Sequence, residues 1–201
     1  MSNYPAKMAV VVPGFVIVDG DQQKANPTKL VYLNGFAILK VERRGRGFKF
    51  EEFRQLDETG TQSARLLKDL AFHLDPDTTL AGHRLDLMVD ALIRVPCGDQ
   101  NEAGCKPALL RLQAALTNEV QDAYWWDRDR HRSLEVLASE YALPAEWHRP
   151  NRQCNPNKLG QELSAKAQSI WLIIAHEWLT KTELCRATAD YDQWRTAHSI
   201  A

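Results

Sequence analysis

Residues 78–90 read Thr78-Thr79-Leu80-Ala81-Gly82-His83-Arg84-Leu85-Asp86-Leu87-Met88-Val89-Asp90. Thr78 to Gly82 is short and opens on β-branched residues, which predicts a strand; Leu85 to Arg94 follows at once as a helix, ended by Pro96. What precedes this strand decides the sheet it joins. Val16-Ile17-Val18 is a β-branched run that Ala9 to Val12 extends across Pro13-Gly14. Leu30 to Glu42 is a second strand with Asn34-Gly35 as an internal weak point or bulge. Arg43-Arg44-Gly45-Arg46-Gly47 is a turn, and Phe48 to Phe53 alternates as a third strand. Ser63 to Leu74 then carries Leu66, Leu67, Leu70, Ala71 and Leu74 at helical spacing, ended by Asp75-Pro76-Asp77. Three closely linked strands, a helix, a fourth strand and a helix predict an α/β chain with a mixed sheet. A doubly wound parallel sheet, which alternates strand and helix from the start, is excluded.

Downstream the pattern is helical. Cys97 to Lys106 is polar and reads as an exposed loop, with Pro107 as a first-turn proline for Ala108 to Leu116. His131 to Ala142 places Leu134, Leu137, Ala138 and Tyr141 on one face before Leu143-Pro144 stops it. His148 to Asn157 reads as a loop, Leu159 to Leu179 as the longest helix, and Glu183 to His198 as one more. The expectation is one domain over 1–201, with its core at about 8–180 and a helical extension over 181–201.

Composition narrows the function classes. The 201 residues hold 25 Lys+Arg against 26 Asp+Glu, a formal charge of −1, which excludes a strongly basic nucleic-acid coat but not local basic patches. No apolar run approaches the ~20 residues of a membrane span. Met8 to Val18 is interrupted by Pro13 and Gly14 and ends at Asp-Gly-Asp rather than a small-residue cleavage site. With Cys97, Cys105, Cys154 and Cys185 widely spaced, the expectation is a cytoplasmic protein with reduced thiols; the spacing lends no support to zinc on Cys97, Cys105, His131 and Cys154.

Two groups of carboxylates stand out. Asp19 and Asp21 follow the first strand at i, i+2, so an extended chain places both on one face, where a Mg²⁺ or Mn²⁺ ion would relieve their repulsion. Asp-Gly-Asp is equally a common turn sequence. Asp86 and Asp90 lie i, i+4 on the helix after the fourth strand; an acid favoured by the helix dipole plus a solvated surface acid is the plainer account. No nucleotide-cradling glycine motif, G-x-S-x-G or H-E-x-x-H is present.

Together these stretches resemble the DEDD 3′–5′ exonucleases, whose ribonuclease-H-like fold has three antiparallel strands, a helix and a parallel fourth strand. Asp19-Gly20-Asp21 followed by Leu33 to Val41 is similar to the family's first motif, with Asp21 in place of glutamate. Ala81-Gly82-His83-Arg84 with Asp86 or Asp90 is similar to the second, with Arg84 replacing the usual Asn. In the third, Gln161 falls where the general-base histidine belongs and Lys166 where the last metal-binding aspartate belongs. The resemblance implies Asp19, Asp21, Asp86 and Asp90 as catalytic acids, with Asp19, Asp21 and Asp86 on metal. The family uses two divalent ions. The substitutions imply at most one well-bound Mg²⁺ or Mn²⁺ here, and phosphodiester hydrolysis weakened or lost. An inward Lys166 would repel an ion or stand in for its charge.

The resemblance also implies single-stranded nucleic acid as a partner. Arg43, Arg44, Arg46 and Lys49, with Lys40, gather on the predicted hairpin beside Phe48 and Phe50, where cations could neutralise phosphates and rings could stack bases; a solvated hairpin tip whose Phe side chains face the core is the plainer account. His83 and Arg84 belong to the same binding set. Tyr124 to Arg132 is a second basic-aromatic stretch, while Trp171 and Trp178 lie a helical seven apart, as buried residues would. The alternative is a non-catalytic scaffold on the same fold that binds a protein partner, through Cys97–Lys106 or Glu183–His198.

Overall fold

β1 (Lys7–Asp19), β2 (Lys29–Arg44) and β3 (Gly47–Leu56) form the antiparallel meander that the spacing predicts. The computed structural model describes residues 4–19, 29–57, 62–95, 102–117, 120–122, 133–141 and 156–198. β1 is one element running through Pro13 and Gly14. β4 (Thr79–Gly82) pairs with it in parallel only from Met8 to Val10, so on that side Pro13 deprives no ladder of a donor. The bulge lies where it was expected. Gly14 faces Gly35 whereas Phe15 faces Leu33, which leaves Asn34 as the extra residue.

α1 (Ser63–Phe72) carries the chain from the meander to β4. The sheet order is β3-β2-β1-β4-β5, with β5 (Val120–Asp122) parallel to β4. Alternation along the strands builds two cores. Val10, Val12, Leu39, Val41 and Phe50 face α5 (Pro156–Trp178) and α6 (Lys181–His198), meeting Trp171, Ile174 and Tyr191. Ala9, Val11, Phe36, Ile38 and Leu80 face α1, α2 (Leu85–Ile93) and α3 (Glu102–Thr117). α4 (Leu134–Glu140) adds Leu134 and Leu137 to the first core, capped by Ser133, whose hydroxyl accepts from the Val136 N–H. α5 lies close to the sheet at a glycine pair: a Cβ on either Gly14 or Gly35 would come within 3.5 Å of Leu163.

Three expectations are corrected. The chain after Pro107 is not wholly helical, because Val120–Asp122 extends the sheet. A three-residue strand has no period of its own to read; its pairing with Leu80–Gly82 defines it. Residues 102–106 are the first turn and more of α3 rather than loop, since Cys105 is buried beside α1 with its thiol against the Ala64 carbonyl. Pro156 and Asn157 likewise open α5 instead of closing a loop. Cys97, Tyr124, Trp125, Trp126, His131 and Cys154 lie outside the described residues. No helix among the described residues is long and apolar enough to cross a membrane.

Candidate functional site

β1 and β4 run parallel, so their carboxyl ends open on the same edge of the sheet, where open α/β sheets hold ligands. Gly82 ends β4. A Cβ there would stand 2.5 Å from Leu85 Cδ2, so glycine lets the Leu85 side chain at the start of α2 pack over the strand end without shifting. His83 and Arg84 make the turn. Arg84 is held at φ 56, ψ 56, the left-handed region, which costs a non-glycine residue about 1–2 kcal/mol. Arg84 and its neighbour His83 both line an open cleft beside this turn.

The cleft has a volume of about 500 Å³. Val12, Pro13 and Phe15 of β1 form one wall, Leu87, Met88 and Ala91 of α2 another, and Ser133-Leu134 with Lys166 and Ile170 close it from α4 and α5. Among the described residues, the charged side chains on its lining are Arg84 and Lys166, joined by His83. Lys166 is half-buried, one turn before Ile170, and forms no ion pair with a described residue. The volume lies within the range of small-ligand sites.

The expected acids stand elsewhere or beyond description. Asp86 and Asp90 are exposed on α2, whose cleft-facing residues are Leu87, Met88 and Ala91. Asp19 closes β1 opposite Lys29, while the last β1–β4 pair is Val10 with Ala81. The intervening stretch of strand spans about 30 Å at the usual rise. Asp21 lies outside the described residues. Among the described residues no three His, Cys, Asp or Glu side chains group as a metal site would. The residues described at the cleft do not fit a divalent ion, because the charges they bring there are an ammonium and a guanidinium. Gln161 is exposed on α5 and does not line the cleft.

The basic hairpin follows the plainer of its two readings, a solvated tip with Phe50 turned to the core. Arg43 pairs with Glu183 of α6, Arg44 with Glu42 at 2.9 Å, and Lys40 with Asp75 at 3.1 Å. The guanidinium of Arg44 holds the Glu42 carboxyl below its ordinary range. Phe50 is buried against Trp171 and Tyr191, so its ring is no solvent-facing platform for a base, while Phe48 is half-buried and packs edge-on to Tyr4. Arg46 and Lys49 are exposed.

His83, Arg84 and Lys166 are therefore the sequence-selected residues that the fold brings together. The apolar walls were not foreseen. Their signal is the register of β1 against β4, which makes Val11, Val12 and Pro13 the first β1 residues beyond the paired strand end, and local sequence does not carry it. No family model, curated protein or solved structure matches the chain.

Proposed function

We propose that this chain is a ribonuclease-H-like domain of the exonuclease kind that holds single-stranded nucleic acid in the β1–β4 cleft without cutting it. The β3-β2-β1-β4-β5 order, antiparallel then parallel, supports the fold assignment. The observation that carries the functional reading is Lys166 on the same cleft lining as Arg84 and His83. Metal-assisted hydrolysis needs carboxylates to offset the ions, and cations at that position favour phosphate while opposing divalent metal.

The test is fluorescence anisotropy of a short oligothymidylate titrated with protein at several salt concentrations. Binding should weaken steeply with salt, in proportion to the phosphates neutralised. Lys166→Glu should abolish it, and incubation with Mn²⁺ should leave the strand intact. Absence of binding at low salt would favour the protein-scaffold alternative. Vigorous Mn²⁺-dependent trimming that disappears in Asp19→Ala would restore the catalytic reading.

A further inference from the structure

β3 is the outer strand of the sheet, paired with β2 on one side and with no described strand on the other. The hairpin fixes which of its backbone groups face outward. Gly47 closes on Arg44, and the Phe48 N–H points away from β2 to donate to Asp190 Oδ2 of α6 at 2.8 Å. The register runs unshifted to Leu56, so Phe50, Glu52 and Arg54 also turn their N–H and C=O groups outward. An open row of this kind recruits another strand. Along it β3 and α6 line a groove of about 930 Å³, to which the helix brings Gln193, Trp194, Ala197 and His198 besides Asp190. Glu52 stands on that groove, half-buried and on the same face as Phe50. Its Oε1 is buried with no hydrogen-bond partner among the described residues, a costly state for a carboxylate oxygen. Arg54, next on that face, is exposed and forms no ion pair with a described residue.

We infer that β3 pairs antiparallel with β3 of a second copy of this chain, in a two-fold dimer centred on Phe53. Charge selects both the occupant and the register. Centring on Lys49, Glu51, Glu52 or Arg54 opposes like charges across the axis. Centring on Phe50 sets Phe48 in a hydrogen-bonded pair, although its N–H already belongs to Asp190. Centring on Phe53 escapes both faults. Glu52 then faces Arg54 of the second copy, and Arg54 faces that copy's Glu52, so each unpartnered carboxyl receives a guanidinium. The two Phe53 side chains meet in a non-hydrogen-bonded pair, where side chains come closest. The ladder runs from Phe50 to Leu56 and stays clear of Asp190. Charges on an edge strand ordinarily deter pairing, but the order Glu-Phe-Arg about Phe53 makes these complementary to their own copy. The dimer does not depend on what the β1–β4 cleft binds.

Sedimentation velocity of the full chain over a wide range of concentration reads the association, and the mass should double as concentration rises. Arg54→Glu should weaken the dimer about tenfold or more, because it sets a like charge against Glu52 of the second copy. Adding Glu52→Arg to Arg54→Glu exchanges the two charges and should restore it. Phe53→Cys should give a covalent dimer under mild oxidation, since the axis brings its Cα atoms within disulfide reach. Glu51→Cys, off the axis, should stay at the level of the parent chain, whose own cysteines set the background. Circular dichroism establishes that each variant folds; Arg54→Glu alters an exposed side chain and, with Phe53→Cys, decides the matter if the charge exchange does not fold. A monomer at every concentration overturns the dimer and leaves the groove to an extended segment of another protein. A dimer that survives Arg54→Glu, or that crosslinks no better at position 53 than at position 51, overturns this edge as its interface.

Discussion

The indole Nε1–H of Trp171 donates to the hydroxyl of Tyr4 at 3.0 Å, tying the start of the chain to the middle of α5. Both side chains are buried, and burial pushes the Tyr4 phenol well above its usual pKa, so it stays a neutral donor and acceptor. Tyr4 in turn reaches Met8 Sδ at 3.8 Å, and its ring meets Phe48 edge-on. Tyr4→Phe keeps the ring packing and orphans the indole N–H. The expected loss is about 1–3 kcal/mol, the cost of an unsatisfied buried donor. Urea unfolding followed by tryptophan fluorescence measures it; an unchanged midpoint would mean water replaces the hydroxyl.

Glu183 links the last helix to the hairpin. It accepts from the Thr180 hydroxyl at 2.8 Å and backbone N–H at 3.1 Å, closing a capping box at the start of α6, and it also receives Arg43. These donors, Thr180 first, hold its carboxyl below the ordinary 4.5. The unfolded chain therefore takes up the proton first as the solution is acidified. Glu183 contributes its stabilisation above the ordinary value and loses it as pH falls through the depressed one. Glu183→Gln should flatten the acid limb of stability against pH, read as a smaller drop in urea midpoint below the ordinary carboxylate range.

His73 carries a linkage that acts nearer neutrality. Its ring stacks on Phe53 at 4.3 Å, and burial, aided by Lys40, holds its pKa below the ordinary 6.5; Asp69, Asp75 and Glu51 act in the opposite sense. Unfolded imidazole binds a proton first as pH falls through 6.5, so the native state loses stability from there down to the folded pKa. His73→Phe should retain the stack and remove that slope. A variant with the same pH dependence as the parent would place the titration elsewhere.

Much of the sheet was legible because periodicity reports it directly. The meander, the Asn34 bulge and the strand before Gly82 all follow from β-branched runs and turn residues. β5 was illegible because Val120–Asp122 is a strand only through its pairing with Leu80–Gly82. The site was readable in part. The Gly82-His83-Arg84 turn and Lys166 were selected by motif position, and both meet at the cleft. Asp19 was selected as a strand end, and it does end β1, but the pairing of β1 with β4 stops at Val10. Where a neighbour stops is a tertiary fact, and no turn signal at Asp-Gly-Asp could reveal it. The capping box at Thr180-Lys181-Thr182-Glu183 is the reverse case, a local signature that places the start of α6 ahead of the expected Glu183.

Pro107 tests whether tertiary packing overrides a local helix signal. Alone, it favours a helix beginning beside it, yet α3 starts at Glu102 and places Pro107 in its interior. There it lacks the N–H that would reach the Ala103 carbonyl, and its ring crowds that oxygen. The helix persists because Cys105, Ala108 and Leu112 fall on one face and are buried in the core that α1 shares, while Pro107 itself is exposed. Pro107→Ala should therefore stabilise the protein by about 2–3 kcal/mol, the restored helix term of about 3 kcal/mol less the entropy the unfolded chain regains. At this chain length that raises Tm by roughly 2–4 °C per kcal/mol. Scanning calorimetry of the two proteins decides it. A lowered Tm would mean that the proline begins the helix, and that Cys105 reaches the core from a non-helical lead.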